Sequence, residues 1–266
     1  DKGIIVNDVH SGLNPTRVRQ IEAVGSLKEL QQVIRGSARK GTKVSIAGGR
    51  HAMGAQQFAT DSVLLDTRAL VRILDFDRER GLVKVEAGIQ WPALVNGLLK
   101  AQRGDKRQWG IRQKQTGADR LSIGGALGAN VHGRGLKMKP LVEDVKAFEL
   151  VNAKGELLTC SRKENQELFK LTIGGYGLMG LIYSVTLRLA RRQKVRRLVK
   201  VIKLEEFLPA IEKRVKDGFT YGDFQYDIDE KSDTFMRRGV FSCYQPVVDD
   251  VPVPETQKDL GHEDWL

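Results

Sequence analysis

Hydrophobic positions early in the chain follow the period of an α-helix and lie between short apolar runs. Ser26 stands three residues before Glu29, which is the spacing of a capping box at the start of a helix. The apolar positions that follow share one helical face: Leu27, Leu30, Val33 and Ile34. Extended runs at residues 18–24 and 43–46 flank this helix. The pattern therefore predicts a β-α-β unit in a small α/β subdomain.

From residue 62 onwards the apolar period shortens to two, which is typical of strands. Residues 62–66 form one strand, and two alternating segments on either side of residues 77–81 predict a hairpin. A helix at residues 92–102 carries Pro92 in its first turn, where proline is well tolerated. Further strand patterns lie at residues 141–151, 157–160 and 183–189. We expect the strands after residue 66 to form a mostly antiparallel sheet.

The last third of the chain predicts a short helix and then a separate sheet. Ser161 and Glu164 again have capping-box spacing, so we expect a helix over residues 161–169. Past residue 190 the predicted elements are a strand at 198–202, a helix at 204–215 and strands at 218–229 and 234–244. The charged tail at residues 255–266 adds no clear apolar pattern. We therefore expect this second sheet to leave an apolar face uncovered.

A glycine-rich loop follows the strand that begins at Val44. Gly48, Gly49 and Gly54 permit unusual backbone angles and close approach of a ligand, and successive N–H groups in such loops bind phosphate. Arg50 and His51 add a cation and a titratable ring. A glycine-rich turn after a strand is by itself most often only a turn. The loop lacks both the G-K-[ST] of a Walker motif and the G-x-G-x-x-G fingerprint.

Two more glycine clusters, at residues 116–135 and 174–182, make a ligand site more credible. The first of them also contains a histidine, His132, among many small residues. Small side chains allow a flat ligand or another segment of backbone to lie close. The alternative is a tightly packed glycine-rich helix or turn, and two histidine-bearing stretches in one chain weigh against it.

Composition narrows the class of protein. The 266 residues are 41% hydrophobic and 29% charged, and no apolar run approaches the roughly 20 residues of a membrane span. The net charge of +11 is concentrated in Arg191, Arg192, Lys194, Arg196, Arg197 and Lys200. No nucleic-acid motif accompanies this charge, so we expect a solvated face and no nucleic-acid partner. Cys160 and Cys243 form neither a metal spacing nor a disulfide framework, and no metal is expected.

The compartment is only weakly indicated. The chain shows no signal peptide, which favours the cytoplasm, but it begins at Asp1, so a removed leader stays open. The oligomeric state is equally open.

Taken in order, the three clusters resemble the FAD-binding proteins of the vanillyl-alcohol-oxidase type, also called the PCMH-type flavin family. The resemblance covers about residues 15–190. The motifs that carry it are A-G-G-R-H-A-M-G at 47–54, S-I-G-G-A-L-G-A-N-V-H-G at 122–133, the hairpin at 144–158, S-R-K-E-N-Q-E-L-F at 161–169 and G-G-Y-G-L-M-G-L-I at 174–182. A lone glycine loop would be weak support, whereas this ordered set is specific.

The resemblance implies an α+β fold in two parts. Residues 1–66 and 67–190 are expected to form the two subdomains of a PCMH-type FAD-binding domain, with FAD between them. Residues 191–266 resemble the beginning of an incomplete α+β cap domain, the part that closes over the flavin in family members. The shortness of this region puts in doubt whether the chain alone turns over substrate.

The resemblance also assigns the site residues. The first loop would hold the pyrophosphate, the second segment would pass along the cofactor, and Ile182 would present backbone to it. The implied cofactor-binding residues are Ala47, Gly48, Gly49, Arg50, His51, Ala52, Met53, Gly54, Gly117, Ser122, Ile123, Gly124, Gly125, Ala129, Asn130, Val131, His132 and Ile182. His51 matches the position of covalent flavin attachment, with hydrogen bonding near the ring as the alternative. His132 is the candidate catalytic base, with cofactor packing as the alternative.

The implied activity is FAD-dependent oxidation of a CH–OH group in a polyol, sugar or aldonolactone. Hydride would pass to flavin N5, and dioxygen or another acceptor would reoxidise the flavin. Two alternatives stay open: a non-catalytic flavin-binding fragment or subunit, and a basic protein that binds an anionic surface without flavin. The expected partners are thus a small hydroxyl substrate and an electron acceptor.

Overall fold

The computed structural model of the chain describes residues 3–115, 117–248 and 250–253. The chain divides into two compact units, Asp1–Arg192 and Gln193–Leu266. The division lies close to the predicted boundary at residue 190. The charged tail, for which no closing core was predicted, lies outside the described residues.

Strands and helices alternate through the first unit and recur in the second, and the α+β prediction is confirmed. The helices are α1 (Leu27–Arg39), α2 (Trp91–Ala101), α3 (Ile123–Gly128), α4 (Gln166–Thr172) and α5 (Leu204–Lys216). The strands are β1 (Ile4–Val6), β2 (Thr16–Val18), β3 (Gln20–Ala23), β4 (Val44–Ala47), β5 (Val63–Asp66), β6 (Ile73–Asp77), β7 (Leu82–Glu86), β8 (Trp109–Gly110), β9 (Val145–Val151), β10 (Leu157–Ser161), β11 (Leu181–Arg188), β12 (Ala190–Arg191), β13 (Val195–Lys203), β14 (Tyr221–Tyr226) and β15 (Arg238–Pro246).

The first part of unit 1 is a parallel sheet of three strands in the order β3-β5-β4. Helix α1 begins as predicted, because the Ser26 side chain accepts a hydrogen bond from the Glu29 N–H at 3.2 Å. The Glu29 carboxylate in turn accepts from the N–H of Gly25 at 2.9 Å, one residue before the expected partner. Leu30 and Ile34 bury the apolar face of the helix. Strand β4 then delivers the first glycine loop at its C-terminal end.

The second part of unit 1 is a five-stranded antiparallel sheet in the order β10-β9-β11-β7-β6. Both predicted hairpins are present in it. Residues 141–144, however, do not extend β9: Leu141–Glu143 is a 3₁₀ turn behind Pro140. The Glu143 and Asp144 N–H groups donate to the carbonyls of Pro140 and Leu141. These N–H groups are therefore satisfied within the turn and do not pair with a neighbouring strand.

The predicted helix start at Ser161 is wrong. Ser161 ends β10, and its hydroxyl accepts hydrogen bonds from the N–H groups of Lys163 and Glu164 at 3.1 and 3.0 Å. These bonds close a serine turn, which competes locally with a helix. Asn165 adopts the left-handed conformation at φ 45°, and α4 begins only after it.

Two of the apolar cores of unit 1 lie against the five-stranded sheet. The larger lies on one face of the five-stranded sheet and includes Trp91, Ile123 and Phe148. The other packs α1 and β5 against Val151 and Leu181 of the same sheet. The two sheets therefore form one framework, and the glycine loops emerge where they meet.

Unit 2 is a separate antiparallel sheet in the order β13-β15-β14, as predicted. Helix α5 packs on one face through Phe207, whose ring lies 5.0 Å from that of Phe224 and 5.8 Å from that of Phe241. No residue of α5 is buried. The other face exposes apolar side chains, among them Val199 and Val201, which agrees with the expected uncovered face.

No helix in the described part of the chain is long and apolar enough to cross a membrane.

Candidate functional site

A cavity of about 530 Å³ in unit 1 brings the three glycine clusters together. It is bounded by the loop after β4, by α3 with the residues behind it, and by the turn that leads into β11. The predicted site residues that line it are Gly48, Gly49, Arg50, His51, Ala52, Met53, Ser122, Gly124, Gly125, Ala129, Asn130, Val131, His132 and Ile182. Four others lie off its lining: Ala47, Gly54, Gly117 and Ile123. Of these, Ala47 and Ile123 are buried in the apolar cores.

In the first loop, residues 48–53, three carbonyl groups accept hydrogen bonds, whereas the N–H groups have no acceptor among the described residues. The Arg50 carbonyl accepts from the N–H of Val9 at 2.9 Å. The Ala52 carbonyl accepts from the Gln57 amide at 3.0 Å, and the Met53 carbonyl from the Asn14 amide at 2.6 Å. Among the described residues, no hydrogen bond has a backbone N–H of residues 48–53 as its donor. A run of free N–H groups beside a cavity is a site for an anion.

The glycines of this loop serve close approach and not unusual backbone angles. None of Gly48, Gly49 and Gly54 has a positive φ, whereas Arg50 does, at 58°. A Cβ at Gly48 would lie 2.1 Å from the Ser122 hydroxyl oxygen. A Cβ at Gly49 would lie 2.4 Å from the backbone oxygen of Arg120, in the same glycine cluster as Ser122. The expectation about backbone angles was therefore wrong, and the glycines bring the first and second clusters into contact.

Arg50 is held by an ion pair beneath the loop. Its guanidinium lies 3.3 Å from the carboxylate of Asp66, which also binds Arg68 at 2.5 Å. Burial raises the pKa of Asp66, but the hydrogen bonds and charge of Arg68, together with the charge of Arg50, outweigh it and leave the pKa lowered. The Arg50 Nε is buried and has no hydrogen-bond partner among the described residues. Part of the donor set of Arg50, which lines the cavity, therefore has no acceptor among the described residues.

His51 is a half-buried imidazole in a positively charged surrounding. Burial lowers the pKa of His51, and the charges of His10 and Arg120 lower it further. The interaction with the Arg120 backbone raises the pKa but does not outweigh these effects. Its Nδ1 is buried without a partner among the described residues. A lowered pKa keeps the ring neutral near pH 7, and a neutral ring nitrogen with a free lone pair can act as a nucleophile or hydrogen-bond partner.

The second cluster presents a surface of small side chains. Ser122 caps α3 by accepting from the Gly125 N–H at 3.3 Å. The first two N–H groups of the helix donate to the carbonyls of Ile89 and Ala87. Gly125 and Ala129 are exposed on the cavity side, one turn apart. This segment therefore offers room for a flat ligand but few free donors.

The third cluster is tied to the second by backbone hydrogen bonds. The N–H of Gly174 donates to the Leu127 carbonyl at 3.1 Å, and that of Tyr176 donates to the Gly128 carbonyl at 3.0 Å. Ile182 follows in β11 and is largely buried at the cavity. The two clusters thus form one wall.

His132 lies at the cavity but is exposed to solvent. Its Nδ1 is 3.0 Å from the carbonyl of Gly133. This contact leaves Nε2 as the nitrogen that can face a ligand. The assignment of His132 as a base stays a prediction.

Several cavity residues were missed from the sequence. They are His10, Ile46, Gln56, Gln57, Thr67, Ala87, Gln115, Ala118, Leu121, Ala126, Gly128, Tyr176, Gly177, Gly180 and Leu181. Most are apolar or small and carry no signal of their own. His10 did carry one, because the turn at residues 7–14 is dense in polar side chains, but no spacing connects this turn to the loop about 40 residues later.

These features fit FAD. The free N–H groups of the first loop and the unpaired Arg50 Nε match an anionic pyrophosphate. The wall around Gly125 and Ala129 matches a flat cofactor, and the unpartnered His51 nitrogen matches a group close to it.

Comparison with known proteins agrees with this fit. A family described as an FAD binding domain matches residues 19–161, more than half of the 266 residues. L-gulono-1,4-lactone dehydrogenase of Mycobacterium tuberculosis is 30% identical over 205 residues, which are 74% of this chain and 44% of that protein. L-gulonolactone oxidase of Mus musculus is 29% identical over 178 residues, 66% of this chain and 38% of that protein.

The fold also occurs in alkyldihydroxyacetonephosphate synthase, with a TM-score of 0.72 at 14% identity over 85% of this chain and 46% of that one. At this identity the similarity speaks for the fold alone. The chain spans less than half the length of the two curated relatives above. With its glycine loops, its cavity and the family match in agreement, the chain belongs to the FAD-binding domain family.

Proposed function

We propose that this chain is the flavin-binding part of an oxidoreductase that oxidises a CH–OH carbon, with an aldonolactone as the first candidate substrate and sugars or polyols as the next. This substrate class is suggested by the names of the two relatives, L-gulono-1,4-lactone dehydrogenase and L-gulonolactone oxidase. Dioxygen or another acceptor would reoxidise the cofactor.

The observation that carries the proposal is the first loop. Three of its carbonyls accept hydrogen bonds from Val9, Gln57 and Asn14, while none of its N–H groups donates to an acceptor among the described residues. In this proposal residues 48–53 and Arg50 hold the pyrophosphate, and the wall of Gly125, Ala129 and Ile182 holds the flat part of the cofactor. FAD, when bound, supplies the hydride acceptor.

The histidines take two separate roles in this proposal. His51, with its lowered pKa and unpartnered Nδ1, is the group that attaches or hydrogen-bonds the cofactor. His132, exposed at the same cavity, is the group that takes the proton of the substrate hydroxyl.

The test begins with the purified chain. We expect a yellow protein with flavin absorbance, or an unloaded protein that becomes yellow on addition of FAD. L-gulono-1,4-lactone added without oxygen should bleach that absorbance, and dioxygen or a dye should restore it. Free FAD with the same lactone is the control. Protein that binds FAD but is not bleached by any lactone, sugar or polyol would contradict the catalytic part of the proposal.

A second candidate is a flavin-binding subunit that needs another polypeptide segment before it acts on substrate. Unit 2 favours it, because Val199 and Val201 are exposed on one sheet face and α5 contributes no buried residue. The same experiment separates the two candidates: stable flavin without bleaching supports this one. Absence of any flavin binding contradicts both.

A further inference from the structure

The N-terminal segment contains a tightly built turn, residues 7–14, which we call the clasp. Asp8 is almost fully buried at its centre, and its carboxylate accepts from the N–H groups of His10 and Ser11 at 3.1 and 2.6 Å. The Asn14 amide donates to the same carboxylate at 2.9 Å. The hydrogen bonds from Asn14 and Ser11 lower the pKa of Asp8. The clasp is therefore a rigid unit with an ionised carboxylate at its centre.

The clasp is attached to the first glycine loop at two points. The N–H of Val9 donates to the Arg50 carbonyl at 2.9 Å, and the Asn14 amide donates to the Met53 carbonyl at 2.6 Å. Arg50 has the left-handed backbone at φ 58°, which a non-glycine residue adopts only when its surroundings hold it there. The clasp supplies part of that hold and keeps both carbonyls away from the cavity.

The clasp also places a second histidine beside His51. The ring centroids of His10 and His51 are 4.7 Å apart, with 64° between the ring planes. Both rings line the same cavity. The Arg120 backbone, on a different segment, also interacts with the His51 ring and raises its pKa. The His51 ring thus has neighbours from two segments, His10 and Arg120.

We propose that His10 is a positioning residue for His51. Its ring, carried on backbone that the Asp8-centred clasp holds through the His10 N–H, orients the His51 imidazole and so determines how the unpartnered His51 Nδ1 meets the cofactor. For its effect on flavin, this inference rests on the proposed function. The orientation of His51 in the protein without cofactor does not depend on it.

Three variants separate the contributions. His10→Ala removes the ring contact, His10→Phe keeps an aromatic ring of similar reach without a charge, and Leu13→Ala changes an exposed side chain of the same clasp as the control. Thermal melting of each variant establishes that it is folded.

The first readout is the NMR spectrum of the histidine rings in the protein without FAD. With spectra recorded at a pH above the titration midpoints of all the variants, we expect the His51 ring signals to move towards those of a mobile histidine in His10→Ala, to stay near their wild-type positions in His10→Phe, and to be unchanged in Leu13→Ala. The charged groups beside the His51 ring are His10 and Arg120. Because the His10 charge lowers the His51 pKa, its titration midpoint should rise in both His10 variants.

The second readout is flavin retained after acid precipitation of protein loaded with FAD for a fixed time. We expect a several-fold loss in His10→Ala and near-complete rescue in His10→Phe. Unchanged His51 signals in a folded His10→Ala protein would overturn the inference. A wild-type protein that binds no FAD, but whose His51 signals respond to His10→Ala, would contradict the proposed function and support the positioning role.

Discussion

The first and second glycine clusters have similar composition but opposite hydrogen bonding. In residues 48–53 three carbonyls accept hydrogen bonds, and the N–H groups have no acceptor in the part of the chain that the structure describes. In α3 the leading N–H groups are already bonded to Ile89, Ala87 and the Ser122 side chain. A glycine-rich segment therefore binds an anion only when its donors are left over. The first cluster is therefore suited to binding an anionic group, and the second to packing against a flat ligand.

The largest effect is expected where the two clusters touch. Gly48→Ala would place a Cβ 2.1 Å from the Ser122 hydroxyl and should push the first loop away from α3. We expect a loss of about 1–3 kcal/mol in the free energy of unfolding, and FAD binding weakened by about tenfold or more, which corresponds to about 1.4 kcal/mol. Denaturant unfolding and fluorescence titration with FAD measure the two effects.

The matched control is Gly36→Ala in the middle of α1, where no atom lies within 4 Å of the added Cβ. It should leave FAD binding unchanged and stabilise the protein by about 0.5–1 kcal/mol. Adding Ser122→Gly to Gly48→Ala removes both close atoms of Ser122 and should recover part of the loss. If Gly48→Ala binds FAD as tightly as wild type, the clusters do not need this contact.

The next effect concerns His51. His51→Ala should release the flavin on acid denaturation, because the proposed attachment is lost, while FAD binding persists through the backbone donors of the first loop. The measurement is the division of flavin between precipitate and supernatant, with His132→Ala as the comparison at the same cavity. Wild-type protein that leaves all its flavin in the supernatant would exclude the covalent bond.

A smaller effect tests the role of shape in the second cluster. Ala129→Leu adds bulk on the exposed, cavity-facing side of α3 and removes no donor. We expect FAD affinity to fall several-fold, with the melting temperature of the unloaded protein unchanged. An equal loss of stability and affinity would show that Ala129 supports the fold and not a cofactor surface.

The smallest effect concerns the ionic support of the first loop. Asp66 has a lowered pKa in the folded protein, so its contribution to stability is present above its ordinary value of 3.8 and is lost as pH falls through the folded value. Asp66→Asn should therefore reduce the acid dependence of stability below about pH 4. Unfolding measured against pH for both proteins gives the comparison. An unchanged acid limb would mean that Asp66 pairs equally well in the unfolded chain.

Local pattern was sufficient where an element depends on its own residues. The capping serine and apolar face of α1 predicted that helix, and alternating side chains predicted β6, β7, β9 and β11. The prediction failed at Ser161, where the same S-x-x-E spacing that starts α1 closes a turn. The difference is that Asn165 takes a left-handed conformation after this turn, and its side-chain amide donates to the Thr159 carbonyl of β10 at 2.7 Å.

By itself, the sequence determined the order of the elements, the three glycine clusters and the resemblance to an FAD-binding family, because these depend on residue types at short spacing. The tertiary structure decided which clusters have free donors and that Gly48 faces Ser122. It also decided that His10, 41 residues from His51 along the chain, lies 4.7 Å from it in space. The N–H groups at the start of α3 are occupied by the carbonyls of Ile89 and Ala87, which lie far from α3 along the chain. No local sequence pattern could therefore reveal which N–H groups would be left without an acceptor.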